Sequence, residues 1–241
     1  MPDFSLTPLE IPSCRYEVLQ HLFKGVVRAW RIGALICLWV AVQSAPSLDV
    51  LQASFVQRWG AASVPKFDSW RKLVVALGDS SDLDRVKRVN AFVNQQTQFA
   101  DDIAIWNQLD YWATPLETLG RSAGDCEDFA IAKYFTLLQV GVQQDKLRLI
   151  YVRAKAGTSD STQAHMVLAY YATPDAEPLV MDNLIGDVRP ASRRPDLVPV
   201  FSFNSAGVFV GIAGSGPVAA GTGRLSRWED LLRRARAEGF D

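Results

Sequence analysis

The sequence predicts an α+β domain, and three observations carry that reading. Apolar residues recur at three- and four-residue spacing across residues 49–98, as they do in amphipathic helices. A further helical pattern opens at Cys126 and stops at Gly141. Beyond it, short extended runs alternate with turn residues, the pattern of an antiparallel sheet. Helices first, one central helix and then strands is an α+β order, not a βαβ alternation.

The first helices are expected at residues 49–59, 69–77 and 83–94, with Asp82 as N-cap of the third. Residues 107–119 mix aromatic and turn residues (Tyr111, Trp112, Pro115) and read as an ordered loop. The central helix spans residues 126–140, with Ala130, Tyr134, Leu137 and Leu138 on its buried side and Gly141 as its stop. Strands are expected at residues 147–154, 163–171, 179–183, 198–203 and 208–212, paired as a meander. Residues 211–223 are Gly-rich, and residues 225–237 form a short basic amphipathic helix placed at the periphery. The main domain is thus residues 46–210, and residues 211–241 are a linker and tail.

With 241 residues the chain suits one domain, and seven Trp and twelve Phe supply bulky core side chains. The 25 basic and 26 acidic residues nearly cancel, which argues against a nucleic-acid binder. The N-terminus carries a basic stretch over residues 24–31, then an uncharged run over residues 32–42 and small residues at Ser44 and Ala45. Basic region, apolar run and small-residue exit are the marks of a secretory leader, here residues 1–45. An anchor needs about 20 apolar residues to span a bilayer, and this run is roughly half that length. Export to the periplasm follows.

Removal of that leader takes Cys14, Cys37 and His21 with it, leaving Cys126 and His165 as the cysteine and histidine of the mature chain. An exported protein usually pairs its cysteines, so a single thiol is either an inert core residue or a reactive group. At the first turn of a helix, unpaired amides and the positive dipole end favour the thiolate and can hold an oxyanion. His165 lies in the second expected strand and Asp182 in the third. Adjacent antiparallel strands bring side chains on one face within about 5 Å, so Asp182 can orient the imidazole, whereas Asn183 points to the opposite face.

Three acids flank the thiol. Asp125, Glu127 and Asp128 fit helix capping, with Asp125 as N-cap and Asp128 completing an acidic capping box. Three charges beside a thiolate would also blunt its reactivity, a conflict that a bound calcium ion would remove. The spacing alone leaves both readings open.

The ordered motifs Leu109-Asp-Tyr-Trp-Ala-Thr-Pro-Leu-Glu117, Gly124-Asp-Cys-Glu-Asp-Phe-Ala-Ile-Ala-Lys133, His165-Met-Val-Leu168 and Met181-Asp-Asn-Leu184, followed by Pro190-Ala-Ser and Phe201-Ser-Phe-Asn204, resemble the bacterial transglutaminase-like cysteine proteinases, and within them the LapG-type periplasmic group. The resemblance covers residues 83–209. It implies a papain-related transglutaminase fold and a Cys126–His165–Asp182 triad. It also implies calcium dependence, with Asp125 and Glu127 and then Asp128 as ligands. The implied substrate is a large surface adhesin cut near its N-terminus at a di-alanine site. The implied partner is an inner-membrane receptor that senses cyclic di-GMP and sequesters the protease. The mechanism implied is acyl transfer, with the Cys126 amide as one oxyanion donor and Trp112, Asn107 or Gln108 supplying the second. A transglutaminase or amidase would use the same triad. A calcium-binding interaction module with a retired triad is the non-enzymatic alternative.

Osmotic shock should release a soluble species whose N-terminus lies near Ala45. Recovery of the full-length chain from detergent-extracted membranes would contradict the leader and favour an anchor at residues 32–42.

Overall fold

A computed structural model of the chain describes residues 47–155, 161–210, 219–220 and 226–240. The leader expected over residues 1–45 therefore lies outside the described residues, as does most of the Gly-rich stretch. No described helix is long and apolar enough to cross a membrane.

The helical half begins with α1 (Leu48–Trp59), capped by Ser47, whose hydroxyl accepts from the Val50 amide at 3.3 Å. Helix α2 (Val64–Ala76) starts earlier than its apolar period indicates, because Pro65 is well suited to a first turn that needs no N–H. Helix α3 (Asp82–Gln96) is capped by Ser81, not by Asp82: the Ser81 Oγ accepts from the Asp84 amide at 3.2 Å. Asp82 sits inside the first turn, where its carboxylate instead takes Lys146 Nζ at 2.7 Å and the Tyr170 hydroxyl at 3.2 Å.

Residues 107–119 are not a loop throughout. Pro115 opens a helix, α5 (Pro115–Arg121; a shorter one, α4, spans Asp102–Trp106), and Thr114 and Glu117 form a reciprocal capping box. The proline that marked a turn is a first-turn proline. Two short parallel strands, β1 (Gln98–Phe99) and β2 (Ala123–Gly124), tie the end of α3 to the start of the central helix α6 (Cys126–Gln139).

Helix α6 packs against α3 and α5 on one side and the sheet on the other. It is therefore buried around most of its girth, Phe129, Ile131 and Phe135 included, rather than along one stripe. Leu138, expected inside, is only partly buried. Gly141 stops the helix at φ +88°, where a side chain would be strained.

The sheet comprises β3 (Leu147–Lys155), β4 (Thr162–Tyr170), β5 (Leu179–Met181), β6 (Arg189–Pro190), β7 (Leu197–Asn204), β8 (Gly207–Val210) and β9 (Ala219–Ala220). All its pairs are antiparallel, in the order β6-β5-β4-β3-β7-β8-β9. The meander expectation holds within β3–β6 and within β7–β9, but β7 returns to pair with β3 instead of following β6. One face, with Leu149, Met166, Leu168 and Phe203, meets α6; the other carries Ile150, Val152, Val167 and Val180.

The last helix, α7 (Ser226–Glu238), is not peripheral. Trp228 and Leu231 are fully buried, and the Trp228 ring lies 5.7 Å from Tyr134 and 5.3 Å from Phe203. One of its arginines also turns inward: Arg234 donates to Glu117 Oε2 and to the Trp112 carbonyl, each at 2.6 Å. Arg227, Arg233 and Arg236 are exposed, as expected of a peripheral helix, but Arg234 reaches the fully buried Glu117.

Trp228→Ala should therefore lower the unfolding free energy by about 3–5 kcal/mol in a denaturant titration, as for other large core truncations. A loss below about 1 kcal/mol would return α7 to the periphery.

Candidate active site

Cys126 is the first residue of α6, and Asp125 occupies the N-cap position. The helix runs into the sheet face so that the Met166 backbone amide of β4 faces the Cys126 sulfur. His165, the preceding residue, opens onto the same cleft of about 550 Å³, as do Trp112, Tyr151 and Phe201. The structure thus brings Cys126 and His165 to one site, although they stand far apart in sequence.

Asp182 lies one residue past β5, not within it. Met181 is in register with Leu168, so Asp182 is a diagonal neighbour of His165 on the same face. Its Oδ1 lies 2.8 Å from His165 Nε2 and also accepts the Leu184 amide at 3.1 Å. Asn183 lines the cleft. Burial opposes charge on Asp182, yet the bonds from His165 and Arg194 hold its carboxyl down at about 2. Arg194, which the sequence pattern did not single out, reaches Oδ2 at 2.6 Å. Beneath the site, Lys133 is buried, which pulls its ammonium down to about 7 against the opposing pull of Asp182.

Cys126 Sγ donates to Glu127 Oε2 at 3.0 Å, and burial together with the Glu127 and Asp125 charges pushes the thiol far up.

The capping box expected of Asp125 and Asp128 is absent, because the Asp125 side chain makes no cap bond. Instead Asp125 and Asp128 meet Asp102 from α4, with one carboxylate oxygen of each within 4.8 Å of the others. Asp102 was missed because only the two-residue β1–β2 pairing brings it here. Each acid has a buried oxygen without a partner: Asp102 Oδ1, Asp125 Oδ1 and Asp128 Oδ2. Their second oxygens hold the aromatic loop, Asp102 accepting the Tyr111 amide at 2.5 Å and Asp128 the Ala113 amide at 2.7 Å. Burial and mutual repulsion push Asp102 up to about 6 and Asp125 up to about 10, and burial pushes Asp128 well above the carboxylate range. Gly124 is required beside them, since a Cβ there would stand 2.6 Å from Asp128 Cβ.

Three orphaned carboxyl oxygens in one buried corner, which a cation would help to ionise, fit a hard divalent ion with oxygen ligands. Glu127 belongs to this group only at its margin, with Asp102 and Asp110 or with Asp125 and Cys126. Of the three residues considered for the second oxyanion donor, Trp112 lines the cleft and Asn107 and Gln108 do not.

The chain matches known proteins over the stretch that contains these residues. A family model described as bacterial transglutaminase-like cysteine proteinase matches residues 67–196. A solved structure of Legionella pneumophila LapG is 36% identical, with a TM-score of 0.66, covering 79% of this chain and 99% of that one. An EGTA-treated form of that protein is 37% identical, with a TM-score of 0.68, over 79% of this chain and 100% of the other. Its calcium-bound form is 36% identical, with a TM-score of 0.67, over 78% and 98%. No curated protein matches the chain.

The Asp182 geometry sets a pH signature. A carboxyl lowered from 3.8 to about 2 on folding contributes stability that is present above pH ~4 and lost as pH falls through ~2, about 2 kcal/mol in all. The stability gap between wild type and Asp182→Asn should shrink by that amount between pH 5 and pH 2 in urea titrations. A gap that stays flat over this range would contradict the assignment.

Proposed function

Since the chain belongs to the bacterial transglutaminase-like cysteine proteinases, we propose that it is a calcium-dependent periplasmic endopeptidase using Cys126, His165 and Asp182. The observation that carries this reading is the His165–Asp182 pair at 2.8 Å opening on the cleft that holds a helix-initial cysteine. His165 takes the thiol proton at Nδ1 while Nε2–H stays on Asp182, and the thiolate attacks a peptide carbonyl. The Cys126 amide receives the developing oxyanion, with Trp112, which lines the cleft, as the second donor. Water then releases the acyl group from the sulfur.

Calcium dependence is supported by the three orphaned oxygens and by the calcium-bound and EGTA-treated forms of the Legionella relative. Asp102, Asp125 and Asp128 would hold the ion, with Glu127 at its edge. Its positive charge would offset the carboxylates that otherwise disfavour a thiolate at Cys126. The resemblance in ordered motifs supports the substrate, the N-terminal region of a large surface adhesin, and hence control of adhesin release and biofilm attachment. It likewise supports an inner-membrane cyclic di-GMP receptor as the sequestering partner.

Incubation with an N-terminal adhesin fragment should yield two shorter chains, and Cys126→Ala should yield none while melting normally. A heavier cross-linked product would instead mark a transglutaminase. EGTA should abolish cleavage and lower the melting temperature, both reversed by calcium and poorly by magnesium. Asp102→Asn should raise the calcium concentration needed for half-maximal cleavage tenfold or more. Undiminished cleavage in excess EGTA would rule out calcium dependence.

A further inference from the structure

Asp182 is held by more than the imidazole. Oδ1 serves His165 and the Leu184 amide, while Oδ2 receives Arg194 Nη2–H at 2.6 Å. The Arg194 side chain is 1% exposed and Asp182 is fully buried. Asp196 grips the same guanidinium from the far side, accepting Nε at 3.0 Å and Nη2 at 2.8 Å. The backbone is fixed as well: the Arg194 amide bonds to the Ala191 carbonyl and the Lys155 amide to the Asp196 carbonyl, each at 2.9 Å. Asp182 follows β5, and Arg194 and Asp196 precede β7. The three side chains therefore close the base of the 183–196 segment beside His165.

A buried ion pair of this kind is weak evidence for a stabilising role, since apolar replacements are often neutral or better. Its placement is informative. A carboxylate turns freely about its Cβ–Cγ bond, and three donors on two oxygens leave it one orientation. We infer that Arg194 is a positioning residue for the hydrolysis, holding Asp182 ionised and turned so that Oδ1 accepts His165 Nε2–H. This rests on the proteinase reading above. Without the guanidinium, Oδ2 faces a dry interior, and the carboxyl takes a proton or rotates. A protonated Asp182 donates to Nε2, which places the neutral ring's proton on Nδ1, the nitrogen that must accept from the thiol. The wrong tautomer costs serine proteases several orders of magnitude in turnover.

The test is the rate of Cys126 alkylation by iodoacetamide in the calcium-loaded exported chain, for Arg194→Met and Asp182→Asn singly and combined. Arg194→Met, checked by thermal melting, should slow alkylation at least tenfold. In the Asp182→Asn background it should add less than twofold, because both changes break one unit. Ring ¹⁵N shifts of His165 should move from an Nε2-protonated to an Nδ1-protonated neutral form, which a merely structural role would not produce. If Arg194→Met does not fold, Asp196→Asn keeps the guanidinium but frees it and should slow alkylation several-fold. A folded Arg194→Met or Asp196→Asn as fast as wild type overturns the inference, as do additive losses in the double variant. A wild-type thiol no faster than free cysteine overturns the proteinase reading along with it.

Discussion

The start of α6 gathers more buried carboxyl groups than the surrounding protein satisfies, and much of the site is arranged around that excess. Asp125 and Asp128 come from the helix and its N-cap, and Asp102 from α4. Each spends one oxygen or none on the protein and keeps a buried oxygen without a donor. A hydrogen-bonded cluster of this depth would normally leave no such atoms. The same groups bear on Cys126, whose thiol is bonded to Glu127. A dipole that favours a thiolate and carboxylates that oppose it therefore meet at one sulfur, and the proposed cation would tip the balance toward the reactive form.

The two halves of the fold contribute different things. The helical half supplies Cys126 at the start of α6 and the acid corner, with Tyr111 and Ala113 amides anchoring the aromatic loop to those acids. The sheet supplies His165 and Asp182, backed by Arg194. They join where α6 meets β4 at Met166. Helix α7 then locks the loop from behind, through Arg234 on the Trp112 carbonyl and on Glu117. The last helix, expected at the periphery, is part of what keeps the cleft in shape.

How much of this was legible in the sequence follows from the range of each interaction. Helix α6 and strands β3, β4 and β7 carry their own period and were readable. Cys126 and His165 stood out by elimination, and Asp182 by strand adjacency. Asp102 was not readable, because a two-residue parallel pairing has no period and sits on a helix of one turn. Pro115 was ambiguous, since the same residue suits a turn and a first helical turn, and Thr114 with Glu117 decided it. Arg194 was hidden in a stretch of mixed charge, where a buried arginine and a solvated one look alike. The Asp125 cap failed for a physical reason: its carboxylate faces other carboxylates, not the first-turn amides.

The central claim is that the acid corner is a cation site. A crystal structure of the exported chain grown with calcium tests it most directly, through the anomalous signal of the ion. The account predicts one ion about 2.3–2.6 Å from oxygens of Asp102, Asp125 and Asp128, absent from crystals of Asp102→Asn. An empty corner at saturating calcium, with these carboxyls bonded to one another through protons, would contradict it.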